Sequence, residues 1–130
     1  MEYANSEEAI VAQAVSDLDR WSAGDTEGYG RSAAADITYF HNVPALARMD
    51  GVEAFRDFLS ALKGKIPVHN YEIVDPKVQV YGDVGIYTLH YHALLPDGEI
   101  LARGRGTEVY RRTDGGWKMV HVHWSVLEDA

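Results

Sequence analysis

The stretch from Arg103 to Ser125 constrains this chain more than any other. Two runs rich in β-branched and aromatic residues, Arg103 to Arg112 and Trp117 to Ser125, flank Thr113-Asp114-Gly115-Gly116. An Asp-Gly pair between such runs signals a β-hairpin, because its residues tolerate the positive φ that a tight turn demands. Side chains alternate along a strand, so Val120, Val122 and Trp124 are expected on one face and Met119, His121, His123 and Ser125 on the other. Both faces carry bulky groups. Each should therefore meet something, one the body of the protein and the other a ligand or a second subunit.

The chain before the hairpin begins with helical patterning. Asn5 or Ser6, followed by Glu7 and Glu8, forms a helix start with acidic residues at the positive end of the helix dipole. Ile10, Val11, Ala14, Val15, Leu18 and Trp21 then recur at helical spacing. The predicted helices cover about 5–23, 25–33 and 51–63; the second contains Gly28 and Gly30 and needs tertiary support, with Tyr29 as its anchor. The third presents Val52, Phe55, Leu59 and Leu62 on one face. Strands are expected at about 36–41, 68–81, 84–95, 100–112 and 117–127, with Asn42 to Asp50 a loop that has room for one short strand. Asp75-Pro76 interrupts the second of these strands, which implies a bulge or an edge position. Helices followed by a long antiparallel meander give an α+β order, with helices laid across one face of the sheet.

The 130 residues suit one domain with a genuine hydrophobic core. No cysteine is present, which excludes disulfides, thiolate metal sites and cysteine nucleophiles. A formal charge of −8 disfavours binding to nucleic acid or to anionic membranes. No secretion signal or membrane-spanning run is evident in the sequence, so a cytoplasmic location is expected.

The order of elements resembles the nuclear transport factor 2-like superfamily, and within it the SnoaL-like group and the association domain of calcium/calmodulin-dependent protein kinase II. The residues that carry the resemblance are Val68-His69, Pro76 with Val78 and Val80, Gly82-Asp83, Thr107 and Val109, Asp114-Gly115, and Trp117-x-x-Val120-His121-x-His123-x-Ser125. The resemblance implies a cone-shaped fold whose curved, mostly antiparallel sheet wraps its helices, a cavity at one end, and a dimer built through the sheet. Where the kinase association domain has cavity arginines, this chain has His90, Glu108 and Trp124. The resemblance also implies that Glu108, Val122 and Trp124 face the cavity and that His121, His123 and Ser125 face outward.

The candidate catalytic residues are His90 and Glu108, a histidine and a carboxylate on neighbouring strands in an apolar setting suited to acid–base work. The same pair could instead satisfy itself and fix the pocket's shape. Candidate ligand contacts are Trp21, Tyr39, Phe55, Tyr110, Val122 and Trp124. His90-x-His92 and His121-x-His123 have a spacing that metal sites use, but the two pairs are expected on opposite faces, so no metal is expected. No cofactor is expected either. Gly104-x-Gly106 lies within a strand, where it marks curvature or close backbone approach. The functional expectation is a small-molecule-binding protein, a cofactor-free isomerase, cyclase or dehydratase if it is an enzyme; the alternative is a non-catalytic dimeric association module. The expected homodimer would cover the sheet face bearing Tyr87, Leu89, Tyr91, Val109, His121 and His123.

Overall fold

The Asn5 side chain accepts a hydrogen bond from the Glu8 amide at 2.8 Å, capping helix α1 (Ser6–Ser22) as its sequence demands. A computed structural model describes residues 5–41 and 47–127. After α1 comes a single 3₁₀ turn, Glu27–Gly30, then strand β1 (Ala33–Phe40), β2 (Met49–Asp50), helix α2 (Val52–Ala61), and strands β3 (Asn70–Tyr81), β4 (Val84–Leu94), β5 (Ile100–Thr113) and β6 (Gly116–Leu127). The strands form one sheet in the order β2-β1-β6-β5-β4-β3. β1 runs parallel to β6, and the other neighbours are antiparallel. α1 packs on β3, β4 and β6, and α2 on β1 and β2, which makes the α+β layering expected from the sequence.

Three local features decide which side chains enter the interior. The segment predicted as a helix over 25–33 closes after one turn, because the Asp25 carboxylate accepts from the Gly28 amide at 3.0 Å and β1 begins at Ala33. A Cβ on Gly28 would sit 2.6 Å from Arg20 Cβ, and one on Gly30 2.8 Å from a Leu59 methyl, so the turn sits against both helices only because these are glycines. On β3, the edge strand, the register slips between Val74 and Lys77, and Asp75 adopts φ 51° before Pro76. This is the bulge that the proline implies.

The third feature corrects the reading of the last strand. The β5–β6 register shifts between Val109 and Tyr110, since Val109 pairs with His121 but Tyr110 with Met119. Val120 is thus an extra residue in a bulge. Strict alternation would put Met119 with His121; the bulge instead returns Trp117 and Met119 to the same buried face as Val122. The interior is filled by Ile10, Leu18, Ile37, Phe55, Leu59, Tyr87, Met119 and Val122 among others. The loop expected over Asn42 to Asp50 lies partly outside the described residues and ends in β2. Among the described residues no helix is long and apolar enough to cross a membrane.

Candidate active site

Between α1 and the inner face of the sheet lies a cavity of about 310 Å³. Its walls are largely apolar, with Leu18, Trp21, Tyr39 and Ala93 inside and the exposed Leu101 and Val126 at the rim. Tyr29, projecting from its glycine-flanked turn, lines the wall, and behind it sits Glu108 with no exposed surface. The Tyr29 hydroxyl donates to Glu108 Oε2, the Tyr110 hydroxyl donates to Oε1 at 2.9 Å, and Trp124 Nε1 donates to the Tyr29 oxygen at 2.7 Å. Glu108, Tyr29, Tyr110 and Trp124 therefore form one hydrogen-bonded unit with Tyr29 between the carboxylate and the hollow.

Burial pushes the Glu108 carboxyl up to about 7; the two tyrosine hydrogen bonds pull it down, and the charge of Asp17 adds to the rise. Burial, and the Glu108 charge after it, push both Tyr29 and Tyr110 well above the ordinary tyrosine value. Asp17, on the buried face of α1, takes a hydrogen bond from the Ser32 hydroxyl at 2.7 Å; burial raises it to about 6. A group poised near neutrality behind a relay hydroxyl can give or take a proton without a cofactor.

The expected pairing of His90 with Glu108 does not form. Glu108 stands opposite Tyr87, and antiparallel partners share a face. His90 is three residues from Tyr87, an odd step, so it points out of the opposite side. There it lines a polar groove of about 410 Å³ with Asp75, Thr88, Arg105, Thr107, His123 and Ser125. Of the expected ligand contacts, Trp21, Tyr39 and Trp124 line the inner cavity, whereas Phe55, Tyr110 and Val122 are buried outside its lining. The two histidine pairs share the outer face, contrary to the expectation of opposite sides, and β5 runs between them. Among the described residues no three His, Asp or Glu side chains converge as a metal site. The expected dimer face needs the same correction, because Tyr87, Leu89 and Tyr91 point inward and are buried.

The sequence reading missed three contributors. Tyr29 was marked by its flanking glycines. Asp17 was marked by its place on the apolar stripe of α1, three residues after Ala14. His69 stood only within the Val68-His69 signature and was given no role; the Pro67 carbonyl, two residues before it, lies 2.7 Å from its Nδ1. Gly104-x-Gly106 marks close approach, as expected. A Cβ on Gly106 would meet the Trp124 indole at 2.8 Å, so the glycine lets that ring lie against β5 and reach Tyr29.

Helices over one face of a mixed sheet, enclosing an apolar hollow with a buried carboxylate behind it, define a cavity-bearing α+β protein of the nuclear transport factor 2-like type. The profile of the SnoaL-like domain matches residues 11–129, and the chain belongs to that family. It is similar in structure to a candidate ketosteroid isomerase from Parabacteroides distasonis (25% identity, 98% of this chain and 96% of that one, TM-score 0.77). A nuclear transport factor 2-like protein of unknown function from Pseudomonas putida is similarly related (25% identity, 99% and 91%, TM-score 0.82). The S. rosetta calcium/calmodulin-dependent protein kinase II hub shares the fold (23% identity, 98% and 100%, TM-score 0.75). No curated protein sequence matches the chain.

Proposed function

We propose that this protein binds a small, largely apolar organic molecule in the inner cavity and carries out cofactor-free proton transfer on it, by isomerisation, cyclisation or dehydration. The observation that carries the reading is Glu108, wholly buried, raised to about 7 and joined to the cavity wall through Tyr29. With Glu108 ionised, the Tyr29 proton is held on the carboxylate. With Glu108 protonated, its own O–H donates to the Tyr29 oxygen, and the Tyr29 proton turns toward the hollow to meet a ligand oxygen. Trp124 steadies the phenol in both states. In this reading Tyr29 replaces His90 as the partner of Glu108, and Trp21, Tyr39 and Trp124 contact the ligand. The description of the Parabacteroides neighbour as a candidate ketosteroid isomerase supports chemistry of this kind.

The test is deuterium exchange at carbons next to the carbonyl in a panel of ring-bearing ketones, followed by NMR. The wild-type protein should accelerate exchange in ligands it binds; Glu108→Gln should bind them and lose the acceleration. Ala102→Trp, at the cavity wall, should block entry. Ligands that enter without any exchange above background would leave a binding protein and remove the enzyme.

The reading includes a homodimer through the outer sheet face. Ile86 and Val109 are only half-buried on that face, and Phe40, more than a third exposed, packs against the rings of His121 and His123. Exposed apolar and aromatic groups of this kind mark association surfaces. A monomer in sedimentation at micromolar concentration would remove the dimer and leave the cavity chemistry untouched.

A further inference from the structure

The cavity wall holds a second proton-handling pair that the Glu108 chemistry does not use. His69 and Tyr91 both line the hollow, and His69 Nε2 lies 2.5 Å from the Tyr91 hydroxyl. The other ring nitrogen settles who donates. His69 Nδ1 lies 2.7 Å from the Pro67 carbonyl, an oxygen that only accepts, so Nδ1 carries a proton. In the neutral ring Nε2 is then a bare acceptor, and the Tyr91 proton must point to it. The lone pairs of the Tyr91 oxygen are left for whatever occupies the cavity.

The pair is held in place on every side. The His69 amide donates to the Ser22 carbonyl at the end of α1 at 2.9 Å. The Tyr91 ring stacks on Tyr71 at 5.1 Å and meets the edge of Trp124 at 6.1 Å. Tyr71 in turn donates to the Asp19 carboxylate at 2.5 Å, which sets a negative charge behind the stack. Burial first, and then Tyr71 and the Asp19 charge, push the Tyr91 hydroxyl well above the ordinary tyrosine value, which opposes a lasting tyrosinate there. Trp124 touches both ends of the site, with its Nε1 on Tyr29 and its ring against Tyr91.

We propose that His69 and Tyr91 form a proton-accepting dyad, and that the ligand class is a ring-bearing molecule with a phenolic or enolic hydroxyl. This rests on the reading of the inner cavity as a small-molecule site. The ligand O–H bond breaks with its electron pair left on the ligand oxygen, and the proton goes to the Tyr91 oxygen. The Tyr91 proton passes to His69 Nε2, so the hydroxyl is re-formed and the imidazole becomes a cation that keeps its Nδ1–H on Pro67. The ligand anion then faces the Tyr91 hydroxyl with the imidazolium behind it. An enol that loses its proton here could gain one at carbon from the Tyr29–Glu108 end, so one indole separates an accepting from a donating unit.

The experiment uses 4-nitrophenol, whose phenol and phenolate differ in visible absorption, with the full chain below the probe's own pKa. Entry is read by quenching of tryptophan fluorescence. Wild-type protein should raise the phenolate-to-phenol ratio of the bound probe by about tenfold over free probe. ¹⁵N NMR should show His69 as the Nδ1–H tautomer alone and as a cation with the probe bound. Tyr91→Phe should bind the probe and return the ratio to that of free probe; His69→Gln, which keeps an acceptor but takes up no proton, should do the same. Should His69→Gln fail to fold, Tyr91→Phe decides alone, because its ring keeps the stack on Tyr71. A probe that enters but stays neutral, or ionises equally in Tyr91→Phe, overturns the dyad and leaves the cavity reading standing. A probe that does not enter overturns both.

Discussion

The two faces of the sheet are built from alternate residues of the same strands, yet they treat polar groups in opposite ways. On the outer face His90, Arg105, Thr107 and His123 border a wet groove, where Arg105 donates to Ser125 at 3.1 Å. The inner face admits few polar side chains, and there Glu108 is fully enclosed with both oxygens hydrogen-bonded. Water screens and solvates the first set, so each member contributes little alone. The second set has no water to fall back on, so its protonation state and its stability are one question.

The sharpest way to break this contrast is pH. Glu108 has a folded value of about 7 against an ordinary 4.5, so the native state holds a proton that the unfolded chain releases. Its stabilising effect is complete below 4.5 and is lost as pH rises through about 7. Against Glu108→Gln, which cannot titrate, the wild-type protein should lose roughly 3 kcal/mol across that window, at about 1.4 kcal/mol per pH unit. Urea melts of both proteins from pH 4 to 8 measure it, and parallel curves would place Glu108 with the solvated outer groups.

A somewhat smaller effect is expected from deletion. At about pH 5, where Glu108 is protonated, Glu108→Ala should cost roughly 2 kcal/mol, because it leaves the Tyr110 hydroxyl buried without its acceptor and takes from the Tyr29 oxygen the carboxyl proton it receives. Gly106→Ala should cost about 1–2 kcal/mol, since the new methyl displaces the Trp124 indole, and the tryptophan emission should shift with it. His90→Ala on the outer face should change stability by less than about 0.5 kcal/mol in the same urea melts. A loss at His90 equal to that at Glu108 would erase the difference between the faces.

The layering of the fold was legible in the sequence because it rests on period. Helical spacing on α1 and α2, the Asp-Gly hairpin and the Asp75-Pro76 interruption each reflect a local backbone preference. The interior position of Glu108 was legible as well. Its partner was not: β4 and β5 pair in unbroken register from Val84 to Ala93, but both faces of β4 carry bulky residues, so the sequence does not mark which one turns inward. One extra residue at Val120 moved Met119 to the inner face, and an odd step from Tyr87 moved His90 to the outer one. Tyr29, expected only as an anchor, and His69, quoted only within the resemblance, were not assigned to the site for another reason: each sits outside the long periodic elements, where position comes from packing rather than pattern. The glycines beside Tyr29 and the proline two residues before His69 were the traces that packing left.

The bulge at Val120 also bears on how this strand can change length over evolutionary time. With Val120 counted out, Trp117, Met119, Val122 and Trp124 follow in unbroken alternation along β6, and so do Lys118, His121 and His123 on the other side. Losing that one residue would therefore flatten the bulge without exchanging the two faces. Losing a residue from the regular stretch of β5 between Arg103 and Val109 would send Glu108 into solvent and an outer-face residue into the core. Deletions among relatives of this chain should accordingly be tolerated at Val120 and absent from β5 between Arg103 and Val109.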